Sequence, residues 1–453
     1  MHARASLAVR RFTSTTARLP RLHGSVMGSS TSKEAASLER FIAAEQAVLE
    51  SGLNWWRSVQ RSVLHPERTP APVSYKVFDV DISPDEDGHP VLHAEQEKFG
   101  KTLHIHTALY ARGGDDALEQ TVQQGEVPVV MLHGYGSGIG IYSASLGPLA
   151  ATLNRRVYAV DGLGCGRSAR PKWTLGYGTK SDLDDVEAYS ADALDLWRQE
   201  IGAEKIILCG HSIGGYLSVA YAERYPERVE KLMLLSPAGV VGPPPEDQAR
   251  RPSALFRFAR YLWRQGVSPL SASKYVFGRF FIDRYVERRF DDHDWLDKPA
   301  TADYLTGVWT HGEPSAGAYH HTTILLPGAY ARRPLTDRIS RLKVPAVAAI
   351  YGTNDWMNPN HFRRLVNIYE QERLERGAVA REVGGSGGGG GAAADNDEEF
   401  ELVQDLQMMQ VDSAGHNLQL DNPLGFAAAM QAYLVRNERC EGRVFSAQHV
   451  EVQ

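Results

Sequence analysis

Residues Lys205-Ile-Ile-Leu-Cys-Gly-His-Ser-Ile-Gly-Gly-Tyr-Leu-Ser-Val-Ala-Tyr221 decide the fold. The apolar run Lys205–Cys209 reads as a buried strand, and the stretch from Gly215 onward reads as a helix. Between them stands Gly210-His211-Ser212-Ile213-Gly214, the pattern G-x-S-x-G set between strand and helix. A serine at that point sits on a turn so sharp that its neighbours two residues away must lack side chains. The strain exposes the hydroxyl above the sheet edge and aims the N–H of Ile213 at a developing oxyanion. The plainer reading is a glycine-rich strand-to-helix turn with an incidental serine. The rest of the chain separates the two.

Upstream, Val127-Pro-Val-Val-Met-Leu132 reads as a buried strand running into His133-Gly134-Tyr135-Gly136, a turn that can supply a second oxyanion donor, the N–H of Tyr135. The strand Arg156–Val160 ends in Asp161-Gly-Leu-Gly-Cys-Gly-Arg-Ser168, whose glycine spacing does not match a dinucleotide fingerprint. Downstream, Val344–Tyr351 reads as a strand ending in Gly352-Thr-Asn-Asp355, and Met408–Asp412 as a last strand before Gly415-His416. Ser212, Asp355, His416 is the chain order of the α/β-hydrolase fold: a mostly parallel central sheet, helices on both faces and an inserted helical lid.

Each residue has a chemical reason to be there. A serine hydroxyl is a poor nucleophile near neutral pH and needs a base within hydrogen-bond reach. His416 can take that proton and return it to the leaving group, while Asp355 holds the imidazole in the right tautomer. His133 belongs to the oxyanion turn, and His320 and His321 lie in a different kind of segment. Asp412 and Asp421 flank the histidine in sequence, but neither ends the preceding strand. A serine nucleophile excludes the aspartate-based dehalogenase and epoxide-hydrolase chemistries.

Composition fits a globular enzyme. At 453 residues and 43% hydrophobic content, one large domain with a lid accounts for the length. No run of eighteen apolar residues exists, so no membrane span is expected. The three cysteines, Cys165, Cys209 and Cys440, have neither metal spacing nor a disulfide pattern, and neither metal nor cofactor is expected. A net charge of −6 argues against a nucleic-acid partner.

Residues 1–33 differ from the remainder: Arg4, Arg10, Arg11, Arg18, Arg21 and Lys33, many hydroxyl residues and no acid before Glu34. That composition predicts a mitochondrial transit peptide, with a disordered basic tail as the plainer alternative. Residues 34–74 form an N-terminal helical segment in which Leu38, Phe41, Ile42, Val48 and Leu49 are expected on one face. Trp55-Trp56 follow, expected to pack on the domain rather than to anchor it in lipid. The hydrolase core covers 75–240 and 336–440, the lid 241–335, and a C-terminal tail 441–453. In the lid, Leu255, Phe258, Ala259, Leu262 and Trp263 share one helical face and Arg257, Arg260 and Arg264 another, which suits either an anionic lipid interface or a solvated lid helix. Residues 384–399, glycine-rich and then acidic, read as a surface loop.

A family resemblance rests on His133-Gly-Tyr-Gly136, Asp161–Ser168, Leu196-Trp-Arg198 and Lys205–Gly215. It continues through Trp263-Arg-Gln-Gly-Val-Ser-Pro269, Leu326–Leu335, Tyr351-Gly-Thr-Asn-Asp-Trp-Met357 and Gly415-His416. Over about residues 75–435 the chain resembles the α/β-hydrolase subfamily of the lipid-droplet lipase co-activator, the N-acyl-phosphatidylethanolamine lipases and the mitochondrial cardiolipin-specific deacylases. The resemblance implies a serine phospholipase or deacylase acting on a glycerophospholipid, with cardiolipin foremost, in peripheral contact with the mitochondrial inner membrane. Ser212 is retained where the co-activator has lost its nucleophile. His416-Asn-Leu-Gln-Leu-Asp421 matches a spacing proposed to mark lysophospholipid acyltransferases, and is read here mainly as a family marker. Three other readings fit the same residues: an acyltransferase, a non-catalytic co-activator, and a hydrolase of small esters or peptides.

Overall fold

The structure, a computed structural model, describes residues 30–63, 72–84, 92, 103–119, 122–171, 180–244, 257, 261, 263, 278–311, 321–384 and 403–451. The basic N-terminal stretch before residue 30, His320 and the glycine-rich insertion lie outside these residues. So do Leu255, Phe258, Ala259, Arg260, Leu262 and Arg264 of the expected lid helix.

Along the chain run α1 (Ser30–Val63), β1 (Val73–Ile82), β2 (Leu103–Arg112), β3 (Val129–Leu132), α2 (Ser143–Leu153) and β4 (Val157–Val160). Then come α3 (Lys180–Glu200), β5 (Ile206–His211), α4 (Ile213–Arg224) and β6 (Val229–Leu235). The lid region holds α5 (Gly278–Arg289), α6 (Lys298–Thr310) and a small hairpin of β7 (Leu325–Leu326) with β8 (Tyr330–Ala331). The chain closes with β9 (Ala346–Gly352), α7 (Asn360–Gly384), β10 (Asp405–Val411), α8 (Pro423–Leu434) and β11 (Val444–Phe445).

Nine strands form one sheet in the order β1-β2-β4-β3-β5-β6-β9-β10-β11. β1 and β2 pair antiparallel, as do β2 and β4; all other neighbours are parallel. The inner strands are apolar throughout because helices cover both faces. Alternate residues therefore serve two cores: Val130, Leu132 and Leu208 join Trp197, Tyr216 and Phe362, while Met131 and Cys209 join Met233, Phe426 and Tyr433. Every parallel strand points its carboxyl end to the same edge, and ligands of such sheets bind there.

Helix α1 is built into the molecule. Phe41, Ala44, Val48, Leu49, Leu53 and Trp56 are buried, and Gly52 lies so close to Ser143 that a Cβ would stand 2.1 Å from its carbonyl oxygen. Phe41 packs on Tyr304 of α6, and Trp55 on Trp295, with ring centroids 5.7 Å apart in each pair. Both tryptophans thus pack on protein. Leu38 and Ile42, expected on the buried face, are each 36% exposed. The contact stripe runs through residues 41, 44, 48, 52 and 56, and these two side chains flank it. The C-terminal residues also join the domain, since β11 extends the sheet beside β10 and Gln431 Nε2 donates to the Glu451 carbonyl at 2.7 Å.

Candidate active site

Ser212 stands between β5 and α4 with φ +56° and ψ −118°, a backbone region that non-glycine residues avoid. Bonds on both sides hold it: its N–H donates to Leu235 O at 2.9 Å, and its carbonyl accepts from Gly215 and Ala238, each at 3.0 Å. Gly210 and Gly214 are glycine for want of space. A Cβ at Gly210 would stand 2.3 Å from Gly214 O, and one at Gly214 would stand 2.4 Å from Leu132 O. The turn after β3 lies directly against the serine, since a Cβ on Gly134 would be 3.1 Å from Ser212 Cβ. Ile213 opens α4, and Tyr135 follows Gly134, so the two expected N–H donors stand on the turns that follow the neighbouring strands β5 and β3.

The His133–Gly136 turn, the expected oxyanion turn, is pinned from several sides. Gly162 N–H donates to His133 Nε2 at 3.1 Å, leaving Nδ1 of that ring 2.8 Å from Gly134 O. Trp309 of α6 donates its indole N–H to Gly136 O at 2.6 Å, and Tyr304 Oη accepts from Gly140 N–H at 2.9 Å. Tyr135 meets the edge of His321 at 4.8 Å. His321 is buried, and burial brings its pKa down to about 3, so it is a neutral ring at the site. In the sequence His321 lies in a different kind of segment from the catalytic candidates, and nothing local shows that it packs on Tyr135.

Asp355 and His416 follow β9 and β10, neighbouring parallel strands whose ends are in register at Gly352 and Val411. His416 Nδ1 lies 3.2 Å from Asp355 Oδ1, which also accepts the Met357 N–H at 2.9 Å. The Asp355 side chain is fully buried. Burial alone would raise its pKa, but the His416 imidazole, the Ser236 hydroxyl and the Met357 N–H outweigh it, and the carboxyl stays below its usual range. Ser236, fully buried just after β6 with φ +45°, is a neighbour of this carboxylate that sequence reading missed.

His211, the residue between Gly210 and Ser212, links the Ser212 turn to His416. Its Nε2 lies 2.9 Å from the His416 carbonyl, and the two rings pack with centroids 4.9 Å apart. Burial first, and the His416 charge second, lower its pKa to about 3. It therefore remains neutral and donates to that carbonyl without competing as a base. Trp356 packs against His416 at a tilt, ring centroids 5.1 Å apart, while remaining 64% exposed. Among the described residues Ser212 Oγ makes no hydrogen bond; catalytic bonds of this kind commonly tighten only with substrate.

The flanking acids do other work. Asp412 is exposed and accepts from the Ser413 hydroxyl at 3.2 Å. Asp421 accepts the Gly415 N–H at 2.8 Å. Among the described residues no group of three or more His, Cys, Asp or Glu side chains is arranged to hold a metal ion. The arrangement can activate a hydroxyl, neutralise an oxyanion and shuttle one proton, which is the set of tasks acyl transfer requires.

Comparison with known proteins gives a match to the alpha/beta hydrolase fold over residues 127–367. The chain is 30% identical over 242 residues to 1-acylglycerol-3-phosphate O-acyltransferase ABHD5 of Sus scrofa, covering 52% of this chain and 66% of that protein. It is 29% identical over 252 residues to (Lyso)-N-acylphosphatidylethanolamine lipase of Mus musculus, covering 54% and 69%. The chain thus spans just under two thirds of the first relative's own length. Among solved structures it is similar to naproxen esterase (carboxylesterase NP) of Bacillus subtilis, with TM-score 0.48, 15% identity and coverage of 88% and 98%.

Proposed function

Since the chain belongs to the alpha/beta hydrolase family, we propose that it is a serine acyl hydrolase that removes a fatty acyl chain from a glycerophospholipid. The observation that carries this reading is the strained Ser212 set against Gly134, with the bonded Asp355–His416 pair two and three strands away at the same sheet edge. Ser212 Oγ attacks the ester carbonyl carbon as its proton passes to His416 Nε2. The oxyanion is held by the Ile213 and Tyr135 N–H groups. His416 returns the proton to the departing lysophospholipid alcohol, leaving acyl-Ser212. Water, activated by His416, then releases the fatty acid and restores the serine. These steps need only the side chains named, so no cofactor is invoked.

Two relatives whose names specify glycerophospholipid derivatives support the substrate class. Cardiolipin and its lysoforms, and a mitochondrial location, follow from the resemblance and the basic N-terminal stretch. Contact with a membrane surface is supported by Phe280 and Phe281 of α5, 54% and 66% exposed, and by Trp356. No helix among the described residues is long and apolar enough to cross a membrane. A second reading, acyl transfer to a lysophospholipid, is favoured by the activity in the name of the Sus scrofa relative. It differs only in the alcohol that resolves acyl-Ser212.

The test is mass spectrometry of cardiolipin-containing vesicles incubated with purified protein. Free fatty acid without added acceptor is the expected result, abolished by Ser212→Ala with a loss of at least about 10⁴-fold. Acyl chains recovered only on an added lysophospholipid would establish transfer instead. Turnover undiminished in Ser212→Ala would overturn the catalytic reading.

A further inference from the structure

Asp421 stands five residues after His416, yet its carboxylate is not directed at the imidazole. Its Oδ2 accepts the N–H of Gly415, the residue before His416, at 2.8 Å. Its Oδ1 accepts from Arg289 Nη2 at 2.6 Å. Arg289 is the last residue of α5, in the lid, so one carboxylate holds the histidine loop with one oxygen and the lid with the other.

The local chemistry makes this a strong bridge. The Asp421 side chain is 10% exposed and that of Arg289 25% exposed, so the pair is screened far less than a surface ion pair. The cation sits at the carboxyl end of its helix, where the helix dipole favours it. The guanidinium also lies over the Phe290 ring at 5.3 Å, which fixes its direction. His293 Nε2 is 3.8 Å from the same Oδ1, but burial lowers the pKa of this imidazole, so Arg289 supplies the charge. Phe290, His293 and Trp295 then meet edge to face in succession, and Trp295 packs at a tilt on Trp55 of α1.

We propose that Asp421 is a positioning residue that couples the seating of the lid, through Arg289, to the placement of the His416 loop, through Gly415 N–H. This rests on the reading of His416 as the base. It also gives the histidine-plus-five aspartate a physical role other than a separate acyltransferase site. With Arg289 withdrawn, the carboxylate loses the partner that aims it. The Gly415 amide then loses its fixed acceptor, and the imidazole is less well placed over Ser212.

The test compares full-length wild type, Asp421→Asn, Arg289→Gln, the double variant and Arg289→Lys, all checked for unchanged far-ultraviolet circular dichroism. On a short water-soluble ester, each single variant should lose roughly tenfold in kcat with KM within twofold. The double variant should lose no more than the singles, because both break one bridge, and Arg289→Lys should recover most of the loss. Independently of turnover, the ¹⁵N-resolved amide resonance of Gly415 should move upfield in Arg289→Gln and return in Arg289→Lys. An unmoved Gly415 resonance, or losses that multiply in the double variant, would overturn the coupling. So would loss of acyl transfer to a lysophospholipid in Asp421→Asn with ester hydrolysis intact. If instead Ser212→Ala retains activity, the proposed function fails, while the Gly415 resonance still decides the coupling.

Discussion

At the scale of single residues the site depends on two backbones held in unusual conformations, Ser212 at φ +56° and Ser236 at φ +45°. Neither could persist without the strands on both sides, and each presents a hydroxyl where the strands end. Asp355→Asn tests the acid: it should leave the fold intact but cost about 10³–10⁴-fold in kcat, because an amide cannot stabilise the imidazolium or fix its tautomer. The same change at Asp421 should cost far less; steady-state kinetics on a soluble ester would show the reverse order if the acids had been exchanged. Ser212, Asp355 and His416 are legible because each stands at the tip of an apolar run, where a polar residue has little other reason to be. His211 and His321 are not legible in this way. Their roles come from neighbours 205 residues away in one case and from a returning lid segment in the other.

At the scale of elements, α1 carries a carboxylate on its buried face. Glu45 Oε1 lies 2.9 Å from His106 Nε2 and accepts from Arg167 Nη1 at 2.6 Å, while Asp79 Oδ1 meets the other imidazole nitrogen at 2.5 Å. Burial would lower the pKa of His106, but the two carboxylates raise it from 6.5 to about 9. The stabilisation from the raised pKa is therefore complete below about pH 6.5 and is lost as pH rises through 9. Wild type should exceed His106→Gln in unfolding free energy by an amount that shrinks between those limits, on the order of a few kcal/mol; urea unfolding at a series of pH values would show a constant gap if the imidazole were neutral. Apolar periodicity finds α1 but cannot find this cluster, since a glutamate on a buried face looks like an error until its partners are known. It also places Leu38 and Ile42 inside, because a 3.6-residue repeat defines a face only to within a residue on either side. β11 has two residues, too few for any period to register.

At the scale of the whole molecule, Ser212, Asp355 and His416 gather at one edge of the sheet, and the lid fastens to that edge through Trp309, Tyr304 and Arg289. The exposed pair Phe280 and Phe281 projects from α5, the helix that carries Arg289, next to Arg279 and Arg284. Replacing both phenylalanines with serine should weaken binding to cardiolipin-containing vesicles by about tenfold or more, given roughly 1.5–3 kcal/mol for each phenylalanine fully buried. Hydrolysis of a soluble ester should be unchanged, and equal losses on both substrates would assign the pair to lid packing. The opposite edge of the sheet has a different use. β9 and β10 run parallel, so α7 must carry the chain back to where the strands begin, and Val403 is caught there by Leu342 O at 2.9 Å. Val403, which leads into β10, therefore lies a full strand length, roughly 20 Å, from the edge where Ser212, Asp355 and His416 stand. A reporter domain spliced in ahead of Val403 would thus rejoin the molecule at the end of β10 remote from Ser212, and should leave turnover of a soluble ester unchanged.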